Sequence, residues 1–290
     1  MRADEETVGA QFIAPSERGA INCAPTTGTE SPSGVGRRSS VVRQLLPLLG
    51  IVLVLAYWEL HIRLFRVPYF LMPAPSGVWQ ALFEEWPALQ RNVLVTLIEA
   101  LGGFLVGNGV AILLAILFVH NRPVERTLYP IAVAIRTVPI IAIAPLLVLL
   151  LGNGYAPKIV IAALISFFPT LVNMVRGLEA VEPSALELMR VLSANRVQVF
   201  FKLRLPSSLP FLFSALKIAT TSCVIGAIVS EWIGADTGLG YLIVVATFQF
   251  QTGLLYAAMA VGSFLALAFF AAVVLLERLV VRWEPSATAT

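Results

Sequence analysis

The chain has 290 residues, of which 58% are apolar and only 13% charged, with a formal net charge of +3. A soluble domain of this length needs roughly a quarter of its residues charged to cover its surface, so a water-exposed globule is excluded, as is disorder over most of the chain. The basic residues gather in loops beside apolar runs, which makes them a topological signal and not a nucleic-acid footprint.

Residues 1–40 are rich in Gly, Ser, Thr, Pro and acidic side chains with no apolar period, and are expected to form a disordered cytoplasmic tail. No signal peptide is expected, because the first apolar run starts near Gln44 and is followed by no small-residue cleavage site. The segment Ala20-Ile21-Asn22-Cys23 lacks the preceding apolar stretch that a lipidation signal needs.

Six apolar runs follow, at residues 44–62, 96–119, 128–151, 159–175, 209–232 and 255–276, and each can cross a hydrocarbon core of about 30 Å as a helix. Together they predict an all-α integral membrane domain over residues 41–283, with residues 284–290 as a second cytoplasmic tail. Pro130, Pro139 and Pro145 delete backbone donors in the third run, so that span should kink or begin late. Residues 239–246 are apolar but too short to cross, which suits an interfacial or re-entrant helix.

With the N-terminus cytoplasmic, the inner segments hold most of the arginines, Arg122, Arg126, Arg176, Arg190 and Arg196 among them, whereas the outer ones hold only Arg63, Arg66, Arg91 and Lys158. Both termini are therefore expected inside, with outer loops centred near Pro75, Gly154 and Asp236.

The lysines Lys158, Lys202 and Lys217 are followed by Ile159, Leu203 and Ile218, so no phosphate-cradling Gly-Lys-Ser/Thr loop is present and the chain is not expected to hydrolyse ATP. His61 and His120 fall at opposite predicted faces, which leaves no metal site and no base for a nucleophile; Cys23 and Cys223 imply no disulfide framework. No cofactor and no metal are expected. Glu59, Glu99, Glu231 and Glu277 lie at span ends, where headgroups would solvate them, which argues against a proton relay.

Residues 176–206 form the largest internal hydrophilic stretch. Leu186, Met189 and Leu192 recur at helical spacing after Pro183-Ser184, and Asn195 is a plausible cap for a second short helix that Pro206 would end. Spacing leaves two readings open: helices lying on the bilayer, or a helix that docks into a partner's groove.

At this loop the residues resemble a known pattern. Glu187-Leu188-Met189, three residues, Ser193, nine residues, then Leu203-Arg204-Leu205-Pro206 is similar to the coupling-loop signature Glu-Ala-Ala, x3, Gly, x9, Ile-x-Leu-Pro of ABC importer permeases. Leu188 and Met189 depart from the alanines, Leu203 from the isoleucine and Ser193 from the glycine; serine disfavours a left-handed backbone, so the turn there is expected to differ. Pro73-Ala74-Pro75-Ser76, Arg136-Thr137-Val138-Pro139, Phe167-Phe168-Pro169 and Gly238-Leu239-Gly240 resemble segments of the nitrate, sulfonate and taurine branch.

The resemblance implies a type I importer permease in the bacterial inner membrane that moves a small solute, such as nitrate, an alkanesulfonate or taurine. It also implies as partners a second permease copy, a cytoplasmic ABC ATPase dimer and an extracytoplasmic substrate-binding protein. Glu187, Leu188, Met189, Leu192, Ser193, Leu205 and Pro206 would meet the ATPase. The rival reading is a self-sufficient transporter driven by an ion gradient. Arg136 and Lys217, charged within spans, would either line the solute path or reach the inner interface, and Glu231 would either meet solute or anchor the outer loop. Gly103 and Gly107 form a small-xxx-small packing face.

Overall fold

The computed structural model describes residues 38–281. The expected tails, with Cys23 and Trp283, lie outside the described residues, except that residues 38–40 already belong to the first helix. The described residues are all helical: α1 (Arg38–Leu64), α2 (Pro75–Glu84), α3 (Trp86–His120), α4 (Arg122–Thr137), α5 (Ile140–Leu151), α6 (Tyr155–Glu179), α7 (Pro183–Val191), α8 (Arg196–Val199), α9 (Leu205–Glu231), α10 (Leu239–Phe248) and α11 (Thr252–Val280). Residues 38–52 of α1 belong to a first unit, and residues 53–281 form the second, in which every contact below lies.

Four helical stretches among the described residues are long and apolar enough to cross a membrane: Trp86–His120, Tyr155–Glu179, Arg196–Glu231 and Thr252–Val280. A fifth arises if α4 and α5 are one broken span, and the first expected run falls within α1. Large apolar side chains such as Leu105, Leu113, Phe264 and Leu267 point outward, the inside-out pattern of a bundle solvated by lipid.

Helix α6 is the centre of the second unit, packed on α3 along one face and on α9 along another. Small residues allow this. A Cβ on Gly103 would meet backbone atoms of Ala162 and Ala163 at 3.0 Å, and one on Gly107 would run into the Ala163 carbonyl and the Ser166 hydroxyl. On the α9 side a Cβ on Gly226 would lie 2.8 Å from Ile165. The α3–α6 seam also carries a buried hydrogen bond from the Thr170 hydroxyl to Asn108 Oδ1. Close backbone approach of this kind is how helices associate where burying apolar area gains nothing from water.

Several boundaries differ from expectation. Helix α3 begins at Trp86, ten residues before the apolar run, because Gln90, Arg91 and Asn92 interrupt the hydropathy without interrupting the helix. The third span is broken outright: Val138 is extended (φ −74, ψ 126) ahead of Pro139, and α4 and α5 meet at 96°. A residue before proline is pushed out of the helical region, whereas Pro130 and Pro145 are absorbed within their helices. Pro206 does not end a helix. The chain runs as one helical stretch from Arg196 to Glu231, with a π-helical turn at Phe200–Arg204 delivering Pro206 to the first turn of α9, where no intrahelical donor is required. Helix α2 was read as loop; Pro75 starts it, Ser76 is held by Glu59 through N–H (3.1 Å) and hydroxyl (2.9 Å) bonds, and Ala81 packs with Leu254 and Ala257 of α11.

Candidate functional site

Three groups of residues stand out within the bundle. The first is a buried polar cluster where α10 begins. Thr96 on α3 donates its hydroxyl to Glu231 Oε1 at the end of α9 (2.6 Å) and accepts the Leu239 N–H (2.9 Å). Glu231 Oε2 accepts the Gly240 N–H, and Asn92 Oδ1 accepts the Gly238 N–H at 2.8 Å. These bonds satisfy the first N–H groups of α10, which have no partner within their own helix. Gly238 sits at φ +113 with Glu231 packed against its α-carbon, so any side chain there would be strained and would collide. Beside this knot, Lys158 Nζ of α6 lies 3.2 Å from Glu99 Oε1 of α3, with Glu99 wholly buried.

This arrangement corrects two expectations. Glu99 and Glu231 are not solvated at span ends; their exposures are 0% and 1%. Lys158, counted among the outer-loop residues, is an internal counter-ion at 5% exposure. The single signal that could have found this group is Glu99 itself, an acid flanked by apolar residues whose position a helix through Thr96 places beside Asn92.

The second group lines a cavity of about 770 Å³ between α3, α4, α5, α6 and α9. Its walls include Val110, Ile135, Leu164, Phe167 and Phe168, and only Arg136 and Ser222 bring polar side chains. The Arg136 guanidinium lies over the Phe168 ring, 4.7 Å from its centroid. Of the residues expected on a solute path, Arg136 alone reaches this cavity. Lys217 is engaged elsewhere, donating to both carboxylate oxygens of Glu277 on α11 at 2.9 Å, and Glu231 clasps α10.

The third group is the loop around α7. No side chain of α7 is buried, Glu187 is exposed, and Leu188 (59%), Val191 (81%) and Leu192 (65%) present an apolar surface. Its C-terminus closes in a Schellman arrangement, Ala194 N–H to Met189 O and Ser193 N–H to Arg190 O, both 2.9 Å. Ser193 takes the left-handed conformation (φ 52) that the motif demands and is held there under strain. Asn195 then caps α8 through a reciprocal box with Gln198 (2.8 and 2.9 Å). Beyond it Phe200 is buried with Phe118, Leu171 and Met174, and Leu205 packs on the same cluster, with Pro206 on the first turn of α9. Arg122 joins Glu125 (2.9 Å) and Glu179 (2.7 Å) nearby, tying the start of α4 to the end of α6. The loop thus projects from the α3–α6 core, on which Phe200 and Leu205 seat its C-terminal end.

Together these groups belong to a bundle of apolar helices with one largely apolar cavity and one exposed, capped loop. Residues 107–284 match the family described as binding-protein-dependent transport system inner membrane component, and the chain belongs to that family. It is 35% identical over 258 residues to the riboflavin transport system permease protein RibX of Chloroflexus aurantiacus, covering 86% of this chain and 96% of that one. It is 34% identical to the formylaminopyrimidine transport permease protein ThiX of Halalkalibacterium halodurans (83% and 96% covered). It is 29% identical to the putative aliphatic sulfonates transport permease protein SsuC of Bacillus subtilis (80% and 85%). The fold matches a crystal structure of an amino acid ABC transporter with histidines, at a TM-score of 0.56 and 18% identity, covering 68% of this chain and 95% of that one. The chain therefore has the type I ABC importer permease fold.

Proposed function

We propose that this chain is the pore-forming subunit of an ATP-driven importer in the bacterial inner membrane, with both termini cytoplasmic, paired with a second copy of itself. ATP is hydrolysed by a separate ABC ATPase dimer, and solute arrives from an extracytoplasmic binding protein. The observation that carries this reading is α7: a stiff helix, capped at its C-terminal end, that buries none of its own side chains and offers Leu188, Val191 and Leu192 outward beside Glu187. An apolar helix face left uncovered on a rigid stalk is what a helix-in-groove contact needs. Glu187, Leu188, Met189, Leu192 and Ser193 form the contact, while Leu205 and Pro206 join it to α9.

The transported solute is an organic molecule with an anionic or strongly accepting group, which meets Arg136 in the cavity between α3 and α6. The relatives are named for riboflavin, formylaminopyrimidine and aliphatic sulfonates, and a cavity of about 770 Å³ suits such organic solutes better than nitrate.

The test is co-purification of the detergent-extracted chain with its ATPase, wild type against Glu187→Ala. Loss of one charge-assisted contact weakens association or substrate-stimulated ATP turnover about ten-fold while membrane insertion is unchanged. Unchanged association, turnover and uptake in the variant would sink the assignment.

A further inference from the structure

We infer that the cavity bounded by Arg136, Phe167 and Phe168 takes a flat, conjugated solute with one anionic edge, stacked along the aromatic wall; this rests on the importer reading above. The argument begins with Arg136. It is the one charged side chain lining the cavity, and among the described residues no carboxylate pairs with it. The guanidinium lies over the face of Phe168. A guanidinium held over a ring face keeps its N–H donors available for a carboxylate or similar two-oxygen edge.

The walls then select what is attached to that edge. Phe167 and Phe168 are adjacent on α6, immediately before Pro169, and Val106, Val110 and Leu114 of α3 line the same cavity. A conjugated body can lay its face against these rings, and enters without freezing internal rotations. An alkyl chain of the same area has rotors to freeze and cannot stack on a ring face. A small oxyanion would leave most of about 770 Å³ to water held against apolar walls. The polar complement is sparse but placed. The Ser222 hydroxyl, which donates to the Ile218 carbonyl at 2.9 Å, still has accepting capacity.

The experiment uses the permease with its ATPase in phosphatidylcholine nanodiscs, with empty nanodiscs as the partition control. Binding of radiolabelled naphthalene-2-carboxylate is measured by equilibrium dialysis, with octanoate and nitrate as competitors. The naphthoate is expected to bind saturably and at least about ten-fold more tightly than octanoate, with nitrate ineffective at large excess. Arg136→Gln, which removes the charge, and Val110→Phe, which narrows the cavity, each weaken it about ten-fold. Melting of both variants within the complex shows that they are folded. Octanoate binding as tightly as the naphthoate, as an acyl-chain site would allow, overturns the inference, as do variants that bind like wild type. ATP turnover recorded on the same samples separates the two readings: turnover without the aromatic preference rejects the solute class alone, whereas a wild-type permease that retains no ATPase rejects the importer reading.

Discussion

Thr96→Val replaces a hydroxyl by a methyl of nearly the same shape, so its effect isolates two hydrogen bonds and not a volume change. In the wild type that hydroxyl donates to Glu231 Oε1 at 2.6 Å and accepts from Leu239 N–H at 2.9 Å, with Thr96 itself wholly buried. Valine strands one backbone donor and one carboxylate oxygen, neither of which can turn to water. Each stranded buried group costs about 1–3 kcal/mol, so the variant should lose about 2–6 kcal/mol. On the scale of soluble domains of 150–250 residues, where 1 kcal/mol moves the midpoint by about 2–4 °C, the melting temperature falls by at least about 4 °C. The assay is thermal unfolding of the detergent-purified chain, with Thr96→Ser, which keeps the hydroxyl, expected within about 1 kcal/mol of wild type. A valine variant that melts with wild type, or a serine variant that falls as far as valine, would refute the hydrogen-bond account.

Lys158→Met leaves Glu99 as an uncompensated buried acid and should cost about 3–5 kcal/mol in the same melting assay, most of it recovered in Lys158→Met/Glu99→Leu; no recovery would show that the two do not act as a pair. Gly107→Ala forces α3 and α6 apart where they touch and should destabilise by about 1–3 kcal/mol, whereas the same change at Gly109, which meets nothing within 4 Å, should not lower the melting temperature. Ser193→Gly relieves the left-handed strain at the end of α7, a gain of about 0.5–1 kcal/mol after the glycine's own entropy. Exchange of the Ala194 amide should then slow by about two- to five-fold, and faster exchange would contradict it.

The helical membrane character and the loop around Glu187 were legible because they depend on local quantities: mean hydropathy, proline and cap positions, and the spacing of Leu186, Met189 and Leu192. The Asn195 cap was readable for the same reason. The buried cluster was not, since Asn92, Thr96, Glu99, Lys158 and Glu231 lie on three helices and their pairing depends on which faces meet. A window average also mistakes polar residues such as Gln90, Arg91 and Asn92 for the end of a span, which is why α3 is expected to start ten residues late. The break at Val138–Pro139 shows a different limit. Pro130, Pro139 and Pro145 share one run, and tertiary packing decides which of them the helix absorbs.

The helical stretch from Arg196 to Glu231 joins the two most distant features described above. Its 36 residues make a rod of about 54 Å, seated at one end beside the Asn195 cap and Phe200 and gripping α10 through Glu231 at the other. Tilting such a rod by 5° about one end sweeps the other through about 5 Å, roughly one helical turn. A small torque applied at α7 is therefore geared into a large displacement at the opposite end, and the π-turn at Phe200–Arg204, nearest the fulcrum, is where the rod would flex if the load were not transmitted.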